Sequence, residues 1–274
     1  MIRYLKEGFR TTASQTFLLL VLWLYHFVWG FLLLSVIKSI VVPLMHRFPG
    51  THLTPDASQL FLAESQFRLM KTDISHHTIA LLIAFAAARM LLTPLLNAGV
   101  YYSLHHARLN SGYRFLQGIR HLGKPFFVYY AVQLLLTFAP LYWLYPIAKN
   151  AFAHESDYTS LGLALLPWAA AYIAYGFLIR LCFIYIQLGK TQGERLSQSL
   201  GLFLRKLPVV AAVALVLLAM SGTATAAALS TSLVWAGLSA LVLQQLFHIV
   251  TLLFKLWTIA AQYHVYAADT ASDR

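Results

Sequence analysis

The sequence sets basic and amide side chains deep inside long apolar runs and sets no acid beside them. Arg89 stands in the run AAARMLL, and His26, Gln133, Arg180, Gln244, Gln245 and His248 fall in the central or inner halves of similar runs. A charge at that depth is costly unless it faces a helix bundle, a water-filled cavity or a partner. Cations and amides without acids point to binding chemistry. The guanidinium of Arg presents a planar fork of donors that matches phosphate and carboxylate, so an anionic guest such as a phosphate or lipid headgroup is the natural counter-ion. Arg89 has a second option, hydrogen bonding to carbonyls at a kink near Pro94. Arg180 and Lys255 lie close enough to the inner interface to snorkel to it.

The same absence excludes classes of function. Proton- and sodium-coupled carriers usually use intramembrane carboxylates, and intramembrane aspartyl proteases need two. No HExxH, GxSxG or GxxxxGK[ST] motif occurs, so no catalytic residue is assigned and the chain is read as non-enzymatic. Cys182 is the only cysteine, which excludes an intrachain disulfide or a Cys-based metal site. Asp73, His76 and His77 have the i, i+3, i+4 spacing that zinc or copper can use, with His46, His52 and His154 expected on the same side. No second fixed pair accompanies them, and neither metal nor other cofactor is expected.

These residues need long helices to position them. With 59% hydrophobic and 11% charged residues, the 274-residue chain is far more apolar than a soluble domain. Stretches of ~20 apolar residues suit a membrane-crossing helix, and the spacing predicts six, at 17–43, 79–103, 126–148, 161–188, 208–229 and 233–260. Alternating patterns of the barrel type are absent, so the fold class is all-α, a polytopic membrane protein. Pro94, Pro140 and Pro167 fall inside spans and can kink or break them, freeing carbonyls.

Lys and Arg orient the spans. Arg3, Lys6 and Arg10 precede the first, Arg108, Arg114, Arg120 and Lys124 lie in the 104–125 loop, and Lys190, Arg195, Arg205 and Lys206 lie in the 189–207 loop. Both termini are therefore expected in the cytoplasm. The net charge of +11 is read as topology and not as nucleic-acid binding.

Each basic segment also repeats a pattern. YLKEGFR (4–10) overlays RFLQGIR (114–120), with Gly8 on Gly118 and Arg10 on Arg120, and RLSQSLGLFLRKLP (195–208) is a third, weaker copy. Apolar residues recur three or four apart in each (Ile2, Leu5, Phe9; Phe115, Ile119, Leu122; Leu196, Leu200, Phe203, Leu207), the signature of interfacial amphipathic helices whose basic side meets anionic headgroups. Arg180-Leu181-xx-Ile184-xx-Gln187 likewise matches Lys255-Leu256-xx-Ile259-xx-Gln262. The expected organisation is a single membrane domain, 1–274, of three repeats (interfacial helix plus helical hairpin) at about 1–103, 104–188 and 189–274, with an external insert at 45–78.

Pro94, Gly99 and Leu104 form a Pro-x-x-x-x-Gly-x-x-x-x-Leu run before a basic amphipathic stretch. Together with six spans and inside termini, this resembles a class of six-span bacterial membrane proteins that includes the membrane domain attached to some glycerophosphodiester phosphodiesterases. The acidic metal ligands of the phosphodiesterase are not found in these residues, so the resemblance carries over neither catalytic residue nor activity. The expectation is an integral protein of the bacterial cytoplasmic membrane, in transport or in lipid and anion handling. Membrane lipids are its expected partners, with a protein partner subunit in a larger complex also open. Two alternatives stay open: a permease of the six-span ABC type working with a separate ATPase, and a membrane-embedded lipid-modifying enzyme.

Overall fold

The computed structural model describes residues 1–45, 73–107, 109–154, 157–234 and 238–270, and among them there is no strand. Nine helices follow one another in the described residues: α1 Ile2–Ala13, α2 Thr16–Met45, α3 Asp73–His105, α4 Ser111–Phe138, α5 Leu141–His154, α6 Tyr158–Gln192, α7 Leu196–Arg205, α8 Leu207–Val234 and α9 Leu238–Thr270. Five described segments are long and apolar enough to cross a membrane, Thr16–Ser39, Ile79–His105, Ser111–His154, Thr159–Gln192 and Leu207–Ser230. In lipid every backbone polar group must find its partner within the protein, which helices achieve by themselves. The chain is an all-helical membrane protein. Most of the expected insert at 45–78, and part of the sixth expected span at 233–260, lie outside the described residues.

The chain divides into two compact units, Val21–Thr93 and Met1–Leu20 with Pro94–Arg274. In the smaller, aromatic rings join α2 to α3: Trp29 meets Phe85 edge-on at 5.7 Å between centroids, and Tyr25 meets Trp29 at 6.1 Å. Such offset or edge contacts suit the ring quadrupole.

In the larger unit the buried core gathers in the last turns of α3, α6 and α9. Ala98, Val100, Tyr101 and Leu104, then Leu181 and Phe183 to Leu188, then Leu256 and Ile259 to Gln262 are all buried. Elsewhere large apolar side chains point outward, among them Leu135 and Ile173, each 70% exposed. Lipid tails are as apolar as these side chains, so the membrane and not the protein covers them.

Small residues bring the amphipathic helices onto that core. A Cβ on Gly8 of α1 would stand 2.8 Å from the Cα and N of Ala261 on α9, and one on Gly118 of α4 would stand 2.9 Å from the Ala98 carbonyl on α3. Ser199 of α7 is buried against Gly189 of α6 in the same manner. The apolar stripes are divided: on α1 Ile2 is exposed, Phe9 is exposed but meets Trp257 edge-on at 5.0 Å, and Gly8 and Thr12 are buried, whereas Phe115 of α4 and Phe203 of α7 are buried. Close approach gains dispersion contacts along two backbones. Polar contacts fasten α1 further. The indole N–H of Trp257 donates to the Leu5 carbonyl at 2.8 Å, and Thr11 Oγ1 lies 2.8 Å from His264 Nε2.

The helix ends follow from local chemistry. Gly193 adopts φ 80°, and the N–H groups of Glu194 and Gly193 bond the carbonyls of Gly189 and Lys190 at 2.9 and 3.3 Å, a Schellman ending for α6. Gln198 Oε1 then accepts the Arg195 N–H at 3.1 Å to start α7. Pro208 in the first turn of α8 lacks only an N–H that would have no helical partner. The second amphipathic stretch runs without interruption through Pro125 into its span, as one helix, α4. The span expected at 126–148 is instead divided between α4 and α5 at Ala139 and Pro140.

That division leaves carbonyls to satisfy in an apolar setting. Pro140 cannot donate to the Leu136 carbonyl four residues back. Tyr175 on α6 supplies the missing donor, its hydroxyl lying 2.9 Å from the Leu136 oxygen, and Tyr172, one turn earlier, donates to the Thr137 carbonyl at 3.1 Å. Ala139 has helical angles (φ −52°, ψ −44°), so the backbone itself is hardly displaced.

Two outcomes are expected in detergent-solubilised protein. Gly8→Val forces a side chain onto Ala261 and costs about 1–3 kcal/mol of stability, read as a lower thermal midpoint; Gly201→Ala, where a Cβ meets nothing within 4 Å, serves as control and leaves the midpoint unchanged or raised. Tyr175→Phe costs about 1 kcal/mol, but in a Pro140→Ala background, where residue 140 donates its own N–H, the same substitution costs much less. Equal costs in the two backgrounds would show that the tyrosine does not replace the proline's missing donor.

Candidate anion and lipid site

Arg180 and Lys255 start equivalent runs on α6 and α9. In each run the residues one, four and seven places on are buried: Leu181, Ile184 and Gln187, then Leu256, Ile259 and Gln262. Those three positions form one helical stripe, and the cation at the head of each run lies about 100° to its side. The result is a groove of about 210 Å³ between α6, α8 and α9 that the exposed Arg180 and the half-buried Lys255 help to line. Ser221, Thr251 and Thr258 add hydroxyls to its lining, while Phe177, Leu217 and Phe254 supply apolar surface. No acid lines it.

Gln262 fixes the walls of this groove. Its Oε1 accepts the Tyr185 hydroxyl at 3.2 Å and its Nε2 donates to the Val210 carbonyl at 3.0 Å, so one fully buried amide ties α9 to both α6 and α8. Fully satisfied buried polar groups of this kind specify one packing. Tyr185 also packs against Phe203 and Tyr266, with centroids 5.6 Å apart in both cases.

The described carboxylates have their partners outside the groove. Glu7 pairs with Arg3 at 2.8 Å, and that hydrogen bond holds its carboxyl below the usual range. Glu194 accepts the Tyr266 hydroxyl, and Asp157 is exposed at the start of α6. Asp73 and Asp269 also stand on described helices, with side chains outside the described residues. The three hydroxyls give their protons to carbonyls of their own helices, Ser221 to Leu218, Thr251 to Phe247 and Thr258 to Phe254, so the lining offers hydroxyl oxygens beside two basic side chains and an apolar floor.

Of the residues singled out from the sequence, the groove takes in Arg180. His248 is half-buried on α9, two turns before Lys255, and Gln133 is half-buried on α4; neither lines the groove. The side chains of Gln244 and Gln245 lie outside the described residues, as do those of Asp73, His76 and His77, whose backbone opens α3. Among the described residues no group of three His, Cys, Asp or Glu side chains could hold a metal ion. His26 and Arg89 belong to the smaller unit. His26 Nδ1 lies 2.8 Å from the Leu22 carbonyl, and Arg89 is exposed on α3, its carbonyl accepting the Thr93 hydroxyl at 2.7 Å.

The basic residues expected at the interface divide. Arg10, Arg120, Lys124 and Arg205 are exposed and Lys206 is half-buried. Arg114, by contrast, is only 4% exposed and its guanidinium bonds Ala107, Gln15 and Ser111. The reason is helical geometry: Arg114 and Gly118 are four apart and share the face that packs on α3. That spacing was available in the sequence as a signal. So was the i, i+4, i+7 series Thr251, Lys255, Thr258, which places the groove's hydroxyls beside its lysine.

No family model matches the chain, and no curated protein or solved structure matches it either.

Proposed function

We propose that the protein is a six-span integral protein of the bacterial cytoplasmic membrane, with both termini inside, that binds anionic phospholipid in a lipid- or anion-handling role and carries out no catalysis of its own. The observation that carries this reading is the groove in which Arg180 and Lys255 meet three hydroxyls and an apolar floor without any acid. A headgroup phosphate would pair with the exposed Arg180 there, beside Lys255, and its acyl chains would lie along Phe177, Leu217 and Phe254.

The three-repeat organisation is part of the same proposal. Its support is a shared register: Gly8, Gly118 and Ser199 each follow Glu or Gln in YLKEG, RFLQG and RLSQS. Each also sits at a close helix contact: Gly118 on α3, Ser199 on α6 and Gly8 on α9. Each amphipathic helix thus packs on the end of the preceding inward span, the first closing back onto the last. Arg180 and Lys255 would then be equivalent groups of the second and third repeats.

The lipid reading is tested by native mass spectrometry of the full-length protein with phosphatidylglycerol and phosphatidylcholine offered in equal amounts. The expected result is retention of phosphatidylglycerol over phosphatidylcholine, with the preference falling about tenfold or more, equivalent to ~1.4 kcal/mol, in the Arg180→Gln, Lys255→Gln double variant. Equal retention of both lipids by the unaltered protein would sink the reading. The topology is tested separately with Gly201→Cys in a Cys182→Ser background. An impermeant maleimide should leave position 201 unlabelled in intact cells and label it in inverted vesicles; labelling of intact cells would place α7 outside.

A further inference from the structure

We propose that the cleft at the start of α4 is a second, separate binding site, for a phosphate group, with Arg114 as its charged donor. Ser14, Gln15, Asn110, Ser111 and Arg114 line an open cleft of about 450 Å³. Arg114 is 4% exposed, and the three acceptors its guanidinium meets are neutral: the Ala107 carbonyl at 2.9 Å, Gln15 Oε1 at 3.3 Å and Ser111 Oγ at 3.5 Å. Its Nε–H, buried, meets no acceptor, although a guanidinium carries five N–H donors. No described carboxylate pairs with it, since Glu7 is held by Arg3 and Glu194 by Tyr266.

A buried cation whose partners are all neutral leaves a desolvation cost uncompensated. Something anionic in the cleft would offset it, and the remaining donors say what kind. The first turn of α4, a 28-residue helix, ends at the same cleft, where Asn110 Oδ1 accepts only the Gly112 N–H, at 3.3 Å. The positive end of that helix therefore adds to the charge of Arg114. Asn110 and Ser111 bring an amide and a hydroxyl that can turn toward phosphate oxygens, while Ser14, whose hydroxyl donates to the Thr11 carbonyl at 2.8 Å, only borders the cleft. A single carboxylate would use two such donors; a phosphate, with its extra oxygens, uses more, and the cleft has room for a phosphate with a glycerol-sized substituent. The group could belong to a lipid headgroup or to a free phosphate compound, and the chemistry of recognition is the same for both. This cleft and the groove at Arg180 and Lys255 share no lining residue, so either can fail without the other.

The test uses full-length protein carrying Arg180→Gln and Lys255→Gln, which silences the groove. Inorganic phosphate and, in a second arm, dihexanoyl phosphatidylglycerol below its micellar concentration are titrated into it by calorimetry. One saturable site per chain is expected in at least one arm. Saturation by inorganic phosphate assigns a soluble phosphate, and saturation by the lipid alone assigns a headgroup. Arg114→Gln should abolish binding. Because that variant also removes the bonds to Gln15 and Ala107 and can disturb folding, Ser14→Asp is the second variant: residue 14 is exposed, does not bond Arg114, and a carboxylate there should weaken binding tenfold or more, while Ser14→Ala binds as before. Absence of saturable binding in both arms, or binding that Ser14→Asp leaves unchanged, overturns the proposal.

Discussion

Gly8 lies so close to α9 that any side chain added there would meet the backbone of Ala261 at 2.8 Å, and the buried core of the larger unit depends on contacts of this kind. Without hydrophobic water release to drive helices together inside lipid, association rests on packing and on hydrogen bonds that lipid cannot offer. The close approach at Gly8 brings the Leu5 carbonyl within 2.8 Å of the Trp257 indole and Thr11 within 2.8 Å of His264. Holding α1 there also fixes where it ends, and therefore where Gln15 stands to bond Arg114 and the Ser103 carbonyl. Similar contacts at Gly118 and Ser199 hold α4 and α7 against α3 and α6. A few missing Cβ atoms thus decide which polar groups can reach one another.

Much of this was legible in the residues. Five apolar segments stand out because hydropathy in a bilayer is nearly a one-variable problem, in which a helix of sufficient length and too few charges has nowhere else to go. The match of Gly8 to Gly118 was equally visible. What could not be read was which face of each amphipathic helix is covered. In soluble proteins the apolar stripe is the buried one, but here lipid is an equally good solvent for Ile2, and close backbone approach at Gly8 sets the contact of α1, while Phe115 and Phe203 of the other two stripes are buried. The division at Ala139 and Pro140 was hidden for a related reason: proline inside a membrane helix is tolerated or not according to whether a neighbour supplies a donor, and Tyr172 and Tyr175 lie on another helix.

Arg114 marks the limit of charge counting. By charge alone it is one of several basic residues before a span, no different from Arg120 six places later. In the fold Arg120 is exposed while Arg114 is enclosed by Gln15, Ala107 and Ser111, because four residues separate it from the glycine that must touch α3. One arginine therefore faces outward and the other keeps its charge inside the protein.

The chain's shortage of acids gives these positions their meaning. Glu7, midway along α1, pairs with Arg3 and lies 3.8 Å from His264, and Glu194 accepts the Tyr266 hydroxyl. Arg114, 4% exposed, sits in a cleft lined by hydroxyls and amides but by no acid. Neutral dipoles can orient a guanidinium, yet they cannot cancel its charge, and in a low-dielectric setting the difference amounts to several kcal/mol. A single Asp or Glu in that cleft would relieve the cost, and none of the residues that line it is one.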